Sequence, residues 1–450
     1  VKEKKSQLSE LIRLSYKNSK KNPLEIIALN SSFSDFYNYL KKNRNIIFNK
    51  TNFTPIIKYI SARSFSKKRT VKIPKSLWLK NYLDATKSKD IDIIVELIGG
   101  AEGAAKKLVF AALKNKKHVI TANKALVAKY GDQLARIAEK NKVNFEFEAA
   151  VCGGIPIIRS IKEGLIANQI NKIYGILNGT SNFILSSMDK NNLEYDVALK
   201  KAQELGFAES DPSADINGED VSSKLKILTA LSFNSFINNN SILVEGIKNV
   251  DQTDIHNANQ LGYKIKLLGI AERKDKKIIQ RVHPVLIKQN SYTAKIDGVL
   301  NAVVVESSPV GQTVLQGEGA GPGPTTSALV SDLCSVLRGN IKFPFVISNS
   351  KRTKSIFETI DEKNFSVYLR IDVKDKYGVL SNITKVMANN KVSVKRLIQN
   401  PTNNKNVASI IIITHAGKNS SFVKVLKTLS KKNYMVKKPK FIRIENILWV

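Results

Sequence analysis

From Leu24 to Val151 short apolar runs alternate with amphipathic stretches, and this alternation constrains the chain's fold more than any other feature of the sequence. LEIIALN, PIIKYISAR, DIDIIVELIGG, KHVITAN and NFEFEAAV read as buried strands, with SDFYNYLKKNRNIIF, EGAAKKLVFAALKN and KALVAKYGDQLARIAEKN as helices among them. Short strands joined through helices predict a mostly parallel, doubly wound α/β sheet. Ligands of such sheets bind at the carboxyl ends of the strands, which draws attention to two turns. Gly99-Gly100 permits close approach to the backbone, and Thr121-Ala122-Asn123-Lys124 projects Lys124 at the same edge. Plain strand-to-helix turns have the same composition.

Beyond Val151 the pattern changes. Helices such as SKLKILTALSF mix with alternating strands such as YKIKLLGIAER, which predicts an α+β region over 151–316. The glycine turn Gly317-Glu318-Gly319-Ala320-Gly321 opens a helix that is expected to pack back on the first region, so that 317–340 completes a domain of residues 25–150. Residues 1–24 read as a basic polar tail. Residues 365–450 read strand, helix, strand, strand, helix, strand, the βαββαβ order of a ferredoxin-like module.

With 450 residues and 42% hydrophobic content the chain has material for two or three cores, and no apolar run reaches the length of a membrane span. Cys152 and Cys334 lie far apart without a CxxC pair, and the basic N-terminus lacks an apolar signal core; a cytoplasmic location is expected. The 72 basic and 38 acidic residues give a net charge of +34, scattered over Lys/Asn-rich loops and not gathered in a stripe. Nucleic acid and membrane are therefore not expected as partners, while the general field favours anionic substrates and phosphate-bearing cofactors.

The densest chemistry lies between Ala202 and Lys224, where Glu209, Asp211, Asp215, Glu219, Asp220 and Lys224 crowd a stretch broken by Gly206, Pro212 and Gly218. Carboxylates this close repel one another unless they hold something cationic. Asp220 and Lys224 stand one helical turn apart on one face of a helix start. A solvated acidic loop capping a helix has the same spacing. The positions Ala202, Gly206, Phe207, Ala208, Asp211-Pro212, Asp215-Ile216, Gly218, Asp220 and Lys224 together resemble the signature of the homoserine dehydrogenases, and the turn Asp375 to Leu380 resembles that of an ACT domain, a regulatory module that binds amino acids. An oligomerisation module without ligand is the alternative for the latter.

The resemblance implies a Rossmann-like dinucleotide domain, an α+β catalytic and dimerisation domain, and NAD(P)-linked interconversion of L-aspartate 4-semialdehyde and L-homoserine on the way to threonine and methionine. It implies that Glu209 and Asp215 receive the substrate ammonium beside Asp220, with Thr180 and Phe207 at the same pocket. Hydride transfer to an aldehyde builds negative charge on its oxygen, which calls for a proton donor there. Lys224 is the expected donor and Lys124 the second candidate. Arg63, with Lys67 and Lys68 behind it, is implied to read a 2′-phosphate, which favours NADPH over NADH. Gly99, Gly100, Gly206 and Gly321 are expected at the cofactor with Lys124. A sodium ion is implied at Glu148 and the carbonyls of Val151, Gly153 and Ile155, although an inter-domain hinge explains that turn equally well. Threonine is the implied effector of the terminal module, in a homo-oligomer. One departure stands out: Ile27-Ala28-Leu29-Asn30-Ser31-Ser32-Phe33-Ser34 lacks the glycines with which such domains approach a pyrophosphate. A catalytically silent amino-acid-binding protein is therefore the competing expectation.

Overall fold

The computed structural model describes residues 32–62, 71–339, 341–401 and 406–447. The chain forms two compact units, one from residues up to 171 with 226–239 and 305–355, the other from 172–225, 240–304 and 356–450.

The first unit holds a parallel sheet in the order β1 (Ile93–Glu96), β2 (His118–Thr121), β3 (Phe145–Glu146). Parallel neighbours require crossovers, and the helices Ala104–Lys114 and Lys124–Asn141 supply them. Their apolar residues recur at helical spacing and are buried: Ala105, Leu108, Val109 and Ala112 in one, Leu134, Ala135 and Ala138 in the other. The helix Pro322–Leu337 lays Leu329, Leu333 and Val336 into one core with Phe33, Phe36, Val95 and Ile120.

Three readings change here. The stretch 34–48, read as one helix, is two, Ser32–Lys42 and Arg44–Thr51. Asn43 separates them, its side-chain amide donating to the Tyr39 carbonyl at 3.1 Å in competition with the backbone. PIIKYISAR contributes a single bridge, Ile60 to Trp78, and NFEFEAAV only the two residues of β3, because the chain turns at Glu148–Ala150. The tail 1–24, the strand LEIIALN, the turn as far as Ser31, and Arg63, Lys67 and Lys68 lie outside the described residues.

In the second unit β4 (Gln169–Ile176) is followed by β5 (Ile242–Val244) and a long antiparallel hairpin, β6 (Tyr263–Lys274) and β7 (Lys277–Lys288), which turns at Asp275 with φ 55°. β4 pairs with β6, and β8 (Leu300–Ser308) lies beyond β4. The chain continues through β9 (Gly311–Glu318) to β10 (Ile356–Glu358); β5 and β10 both run parallel to β7. The expected βαββαβ module follows: β11 (Asn364–Lys374), helix Val379–Asn389, β12 (Val394–Pro401), β13 (Val407–Thr414), the short β14 (Gly417–Lys418), helix Asn419–Leu429 and β15 (Lys440–Ile444). Its sheet runs β12-β13-β11-β15, all antiparallel, and β15 then pairs in parallel with β7 through Arg443↔Val285 and Ile444↔Leu286. Among the described residues no helix is long and apolar enough to cross a membrane.

Candidate active site

In the second unit three chain segments converge on Asn178. This residue precedes the helix Gly179–Asn191 and caps it, its side-chain carbonyl accepting the Ser181 N–H at 2.8 Å. The amide nitrogen of the same side chain donates to Asp215 at 2.7 Å and to Asp220 at 2.8 Å. Asp215 sits in the short turn Ser213–Ile216 and Asp220 at the start of the helix Glu219–Phe233. Asp220 forms an ion pair of 2.8 Å with Lys224, whose ammonium also donates to the Leu177 carbonyl at 2.7 Å. Both partners are almost fully buried, at 4% and 7% exposure, so neither charge is tolerable there without the other.

Thr180 and Phe207 join this group from the side. The Thr180 hydroxyl donates to the Phe207 carbonyl at 2.6 Å, and the half-open Phe207 ring rests against Phe183 with centroids 5.0 Å apart. Gly206, with φ 74°, turns the chain just before Phe207. Glu209 is exposed on the following loop; Asp211 is exposed as well and accepts the Ser213 N–H at 3.1 Å.

In the first unit the two turns singled out by the sequence are tied together. The Glu96 carboxylate, fully buried at the end of β1, accepts the N–H groups of Ile98 and Gly99 at 2.5 and 3.1 Å and the Thr121 hydroxyl at 2.6 Å. Thr121 in turn accepts the Asn123 N–H at 2.9 Å, and the Asn123 side chain donates to the Gly100 carbonyl at 2.7 Å. The result is a rigid platform at the carboxyl ends of β1 and β2. Gly99 and Gly100 have φ near +80° (80° and 78°), and a Cβ built on either meets nothing within 4 Å, which leaves an open backbone cradle of the kind a dinucleotide needs. Lys124 stands exposed at the first residue of its helix, and Gly321, with φ 116°, precedes the helix Pro322–Leu337.

The turn 148–155 packs on the glycine turn 317–321, with the Gly153 and Gly154 N–H groups donating to the carbonyls of Gly319 and Glu318 at 3.0 and 2.9 Å. Glu148 is buried, its two oxygens accepting the Ile158 and Arg159 N–H groups at 2.9 and 2.8 Å. Burial outweighs those amides and pushes its carboxyl up to about 7. The Ile155 carbonyl accepts the Ile157 N–H at 2.7 Å. Among the described residues no three His, Cys, Asp or Glu side chains gather to hold a metal, so a cation at this turn depends on one carboxylate and on carbonyls.

Asn178, Glu96 and Asn123 carry the geometry of these sites although the sequence assigned them no role. Asn178 and Asn123 each stand directly before a helix at a strand's end, and that capping position is the signal by which they are found.

An ammonium buried beside carboxylates and an open glycine cradle on a parallel sheet are what a dinucleotide-dependent dehydrogenase of an amino-acid substrate requires. Comparison with known proteins narrows the class. The family model for homoserine dehydrogenase matches residues 156–334, that for the homoserine dehydrogenase NAD-binding domain residues 49–148, and that for the ACT domain residues 367–433. The homoserine dehydrogenase of Neisseria gonorrhoeae is 40% identical over 382 residues, 83% of this chain and 87% of that protein. A crystal structure of a homoserine dehydrogenase from Thiobacillus denitrificans superposes with a TM-score of 0.88 at 36% identity, covering 94% of this chain and 98% of the other. A hyperthermophilic archaeal homoserine dehydrogenase solved in complex with NADPH gives 0.59 at 25% identity, covering 71% and 100%. The chain belongs to the homoserine dehydrogenase family, with an NAD-binding domain and a C-terminal ACT domain. It is accordingly an NAD(P)-dependent oxidoreductase, and the reading as a silent amino-acid-binding protein falls away.

Proposed function

We propose that the pocket around Asn178 seats L-aspartate 4-semialdehyde and L-homoserine, and that Lys224 passes the proton. The observation that carries this reading is the buried Asp220–Lys224 pair at 2.8 Å beside a second carboxylate. Asp215 takes the substrate ammonium, with Glu209 at the exposed rim; Thr180 and Phe207 border the carbon chain. Asp220 orients the Lys224 ammonium, which donates to the aldehyde oxygen as negative charge develops and recovers the proton when homoserine is oxidised. A dinucleotide, when bound, would supply or accept the hydride. Gly99, Gly100, Gly206 and Gly321 would give it backbone access, Lys124 is the second acid–base candidate, and Arg63 would receive a 2′-phosphate, which makes NADPH the preferred form. The NADPH complex of the archaeal relative supports that preference.

We infer a sodium ion at Glu148 and the carbonyls of Val151, Gly153 and Ile155. The donors are all oxygen, and a monovalent cation offsets the burial of the Glu148 carboxylate. A homo-oligomer is supported by β12, which ends its sheet and offers an edge to a second copy. Threonine is the proposed effector of the ACT module, and the two free thiols, Cys152 and Cys334, suit the cytoplasm.

The purified full chain is given homoserine with NADP+ or NAD+, and nicotinamide absorbance is followed. Lys224→Ala is expected to lower kcat by about 10²–10⁴ while circular dichroism shows a folded enzyme. Folded Lys224→Ala turning over at the wild-type rate overturns the assignment. Replacing sodium by choline in the same assay is expected to lower activity; an unchanged rate removes the ion.

A further inference from the structure

At the carboxyl ends of β1 and β2 lies a carboxylate that the chain does not neutralise. The Glu96 side chain has no exposed surface, and among the described residues no lysine, arginine or histidine forms an ion pair with it. Its oxygens take neutral donors instead, the Ile98 and Gly99 N–H groups on one and the Thr121 hydroxyl on the other. Because those N–H groups turn inward, the Gly99–Gly100 cradle differs from a phosphate-binding turn, which aims its N–H groups outward at the anion. The Gly100 carbonyl is also occupied, by the Asn123 side chain at 2.7 Å. What Gly99 and Gly100 present on their open side is close backbone approach with a negative charge behind it.

That combination selects one part of a dinucleotide. A pyrophosphate would meet a like charge and no N–H from Ile98 or Gly99, whereas the nicotinamide ring is uncharged when reduced and a cation when oxidised. We propose that Glu96 is a positioning residue that shapes this cradle for the nicotinamide half of the cofactor and, by its charge, favours the oxidised ring over the reduced one. The proposal rests on the reading of Gly99 and Gly100 as part of the cofactor site.

The consequence for the reaction follows from charge. Transfer of hydride to the aldehyde carbon leaves the ring positive while the aldehyde oxygen becomes negative and takes a proton. Glu96 then serves the first charge as Lys224 serves the second, and its three donors hold it in place beforehand, so that little reorganisation accompanies the step. Burial keeps its field from being screened by salt. Charge and shape are separable in this network. Thr121 both donates to Glu96 and accepts the Asn123 N–H, so its hydroxyl holds the two turns together while carrying no charge of its own.

The test is calorimetric titration of the full chain with NADP+, NADPH, nicotinamide mononucleotide and adenosine 2′,5′-bisphosphate, on wild type, Glu96→Gln and Thr121→Val, beside thermal melts. Glutamine has the same shape, keeps an oxygen for the Ile98 and Gly99 N–H groups and turns its amide to the Thr121 hydroxyl, so the loop is expected to hold. Glu96→Gln is expected to weaken NADP+ about fivefold or more relative to NADPH, and to weaken the mononucleotide while the adenosine fragment binds as before. Thr121→Val removes the hydroxyl and keeps the charge; it is expected to weaken both dinucleotides alike, with their ratio unchanged, and Thr121→Ser to restore them. An unchanged ratio in folded Glu96→Gln overturns the proposal, as does a change confined to the adenosine fragment. Should Glu96→Gln fail to fold, Thr121→Val decides: a ratio shifted there assigns the preference to loop shape and overturns the role of the charge, and a ratio kept while both affinities fall supports it. Failure of the underlying reading looks different. Gly100→Asn tolerates the positive φ but fills the opening, and a folded variant that binds both dinucleotides as wild type does defeats the cradle itself.

Discussion

One amide group at Asn178 does for Asp215 and Asp220 what neither can do for the other. Two carboxylates held close raise each other's energy, and a neutral donor with two hydrogens joins them without adding charge. Asn178→Asp keeps the helix cap, since aspartate caps as well as asparagine, but replaces the donor with a third carboxylate. The expected result is a KM for homoserine raised about tenfold or more, the order of effect that attends loss of a hydrogen bond to a charged group, together with a lowered melting temperature from the third buried carboxylate. Steady-state kinetics beside a thermal melt checks it; a lowered melting point at constant KM would assign the residue to folding alone. The sequence drew attention to Thr180 and not to Asn178, because the partners of Asn178 lie 37 and 42 positions away and nothing local announces them. Glu209 and Asp215 look alike in the sequence for the same reason, and only the fold separates the exposed one from the one that Asn178 holds.

At the scale of elements, legibility follows local chemistry. The helix Lys124–Asn141 was readable to its ends, because Asn123 accepts the Leu126 N–H at 3.0 Å and the apolar stripe never breaks. PIIKYISAR was not, since a short apolar run satisfies a strand pattern without guaranteeing a partner strand. The join of β2 to β3 shows a constraint of another kind. His118 Nδ1 accepts the Asn144 N–H at 3.0 Å, which requires the neutral ring, and burial pushes the imidazole from its ordinary 6.5 down to about 4. Between those values the unfolded chain takes up the proton and the folded one does not. The contribution is therefore complete above pH 6.5 and is lost as pH falls toward 4, reaching about 3 kcal/mol. His118→Asn preserves an acceptor that does not titrate. Urea denaturation at pH 7 and pH 4.5 should show the variant losing less stability on acidification than wild type, and equal losses would contradict the role of the ring.

Across the whole second unit the ACT module is built into the substrate region's sheet, a relation that the βαββαβ order alone does not disclose. β15 extends the hairpin at β7, Leu243 and Ile279 pack against the module's core, and Arg281, with no exposed side-chain surface, pairs with Glu445 at 2.8 Å and Glu272 at 2.7 Å. Arg281 and Glu445 are 164 positions apart, which is why the sequence marked the module as separate. Removing residues 363–450 therefore does more than release a regulator. It deprives a buried guanidinium of Glu445, a change worth about 3–5 kcal/mol, and strips the partner strand from β7 at Val285 and Leu286. The truncated chain should melt lower and associate through the bared edge, losing activity for that reason rather than gaining freedom from inhibition. Glu445→Gln in the full chain should reproduce part of the loss of stability without association, since β15 stays in place. Light scattering with thermal melts of the three proteins decides the matter. A monodisperse, fully active truncation that melts with wild type would show that β7 holds its shape without the module, and would remove the mechanical link on which regulation through this sheet depends.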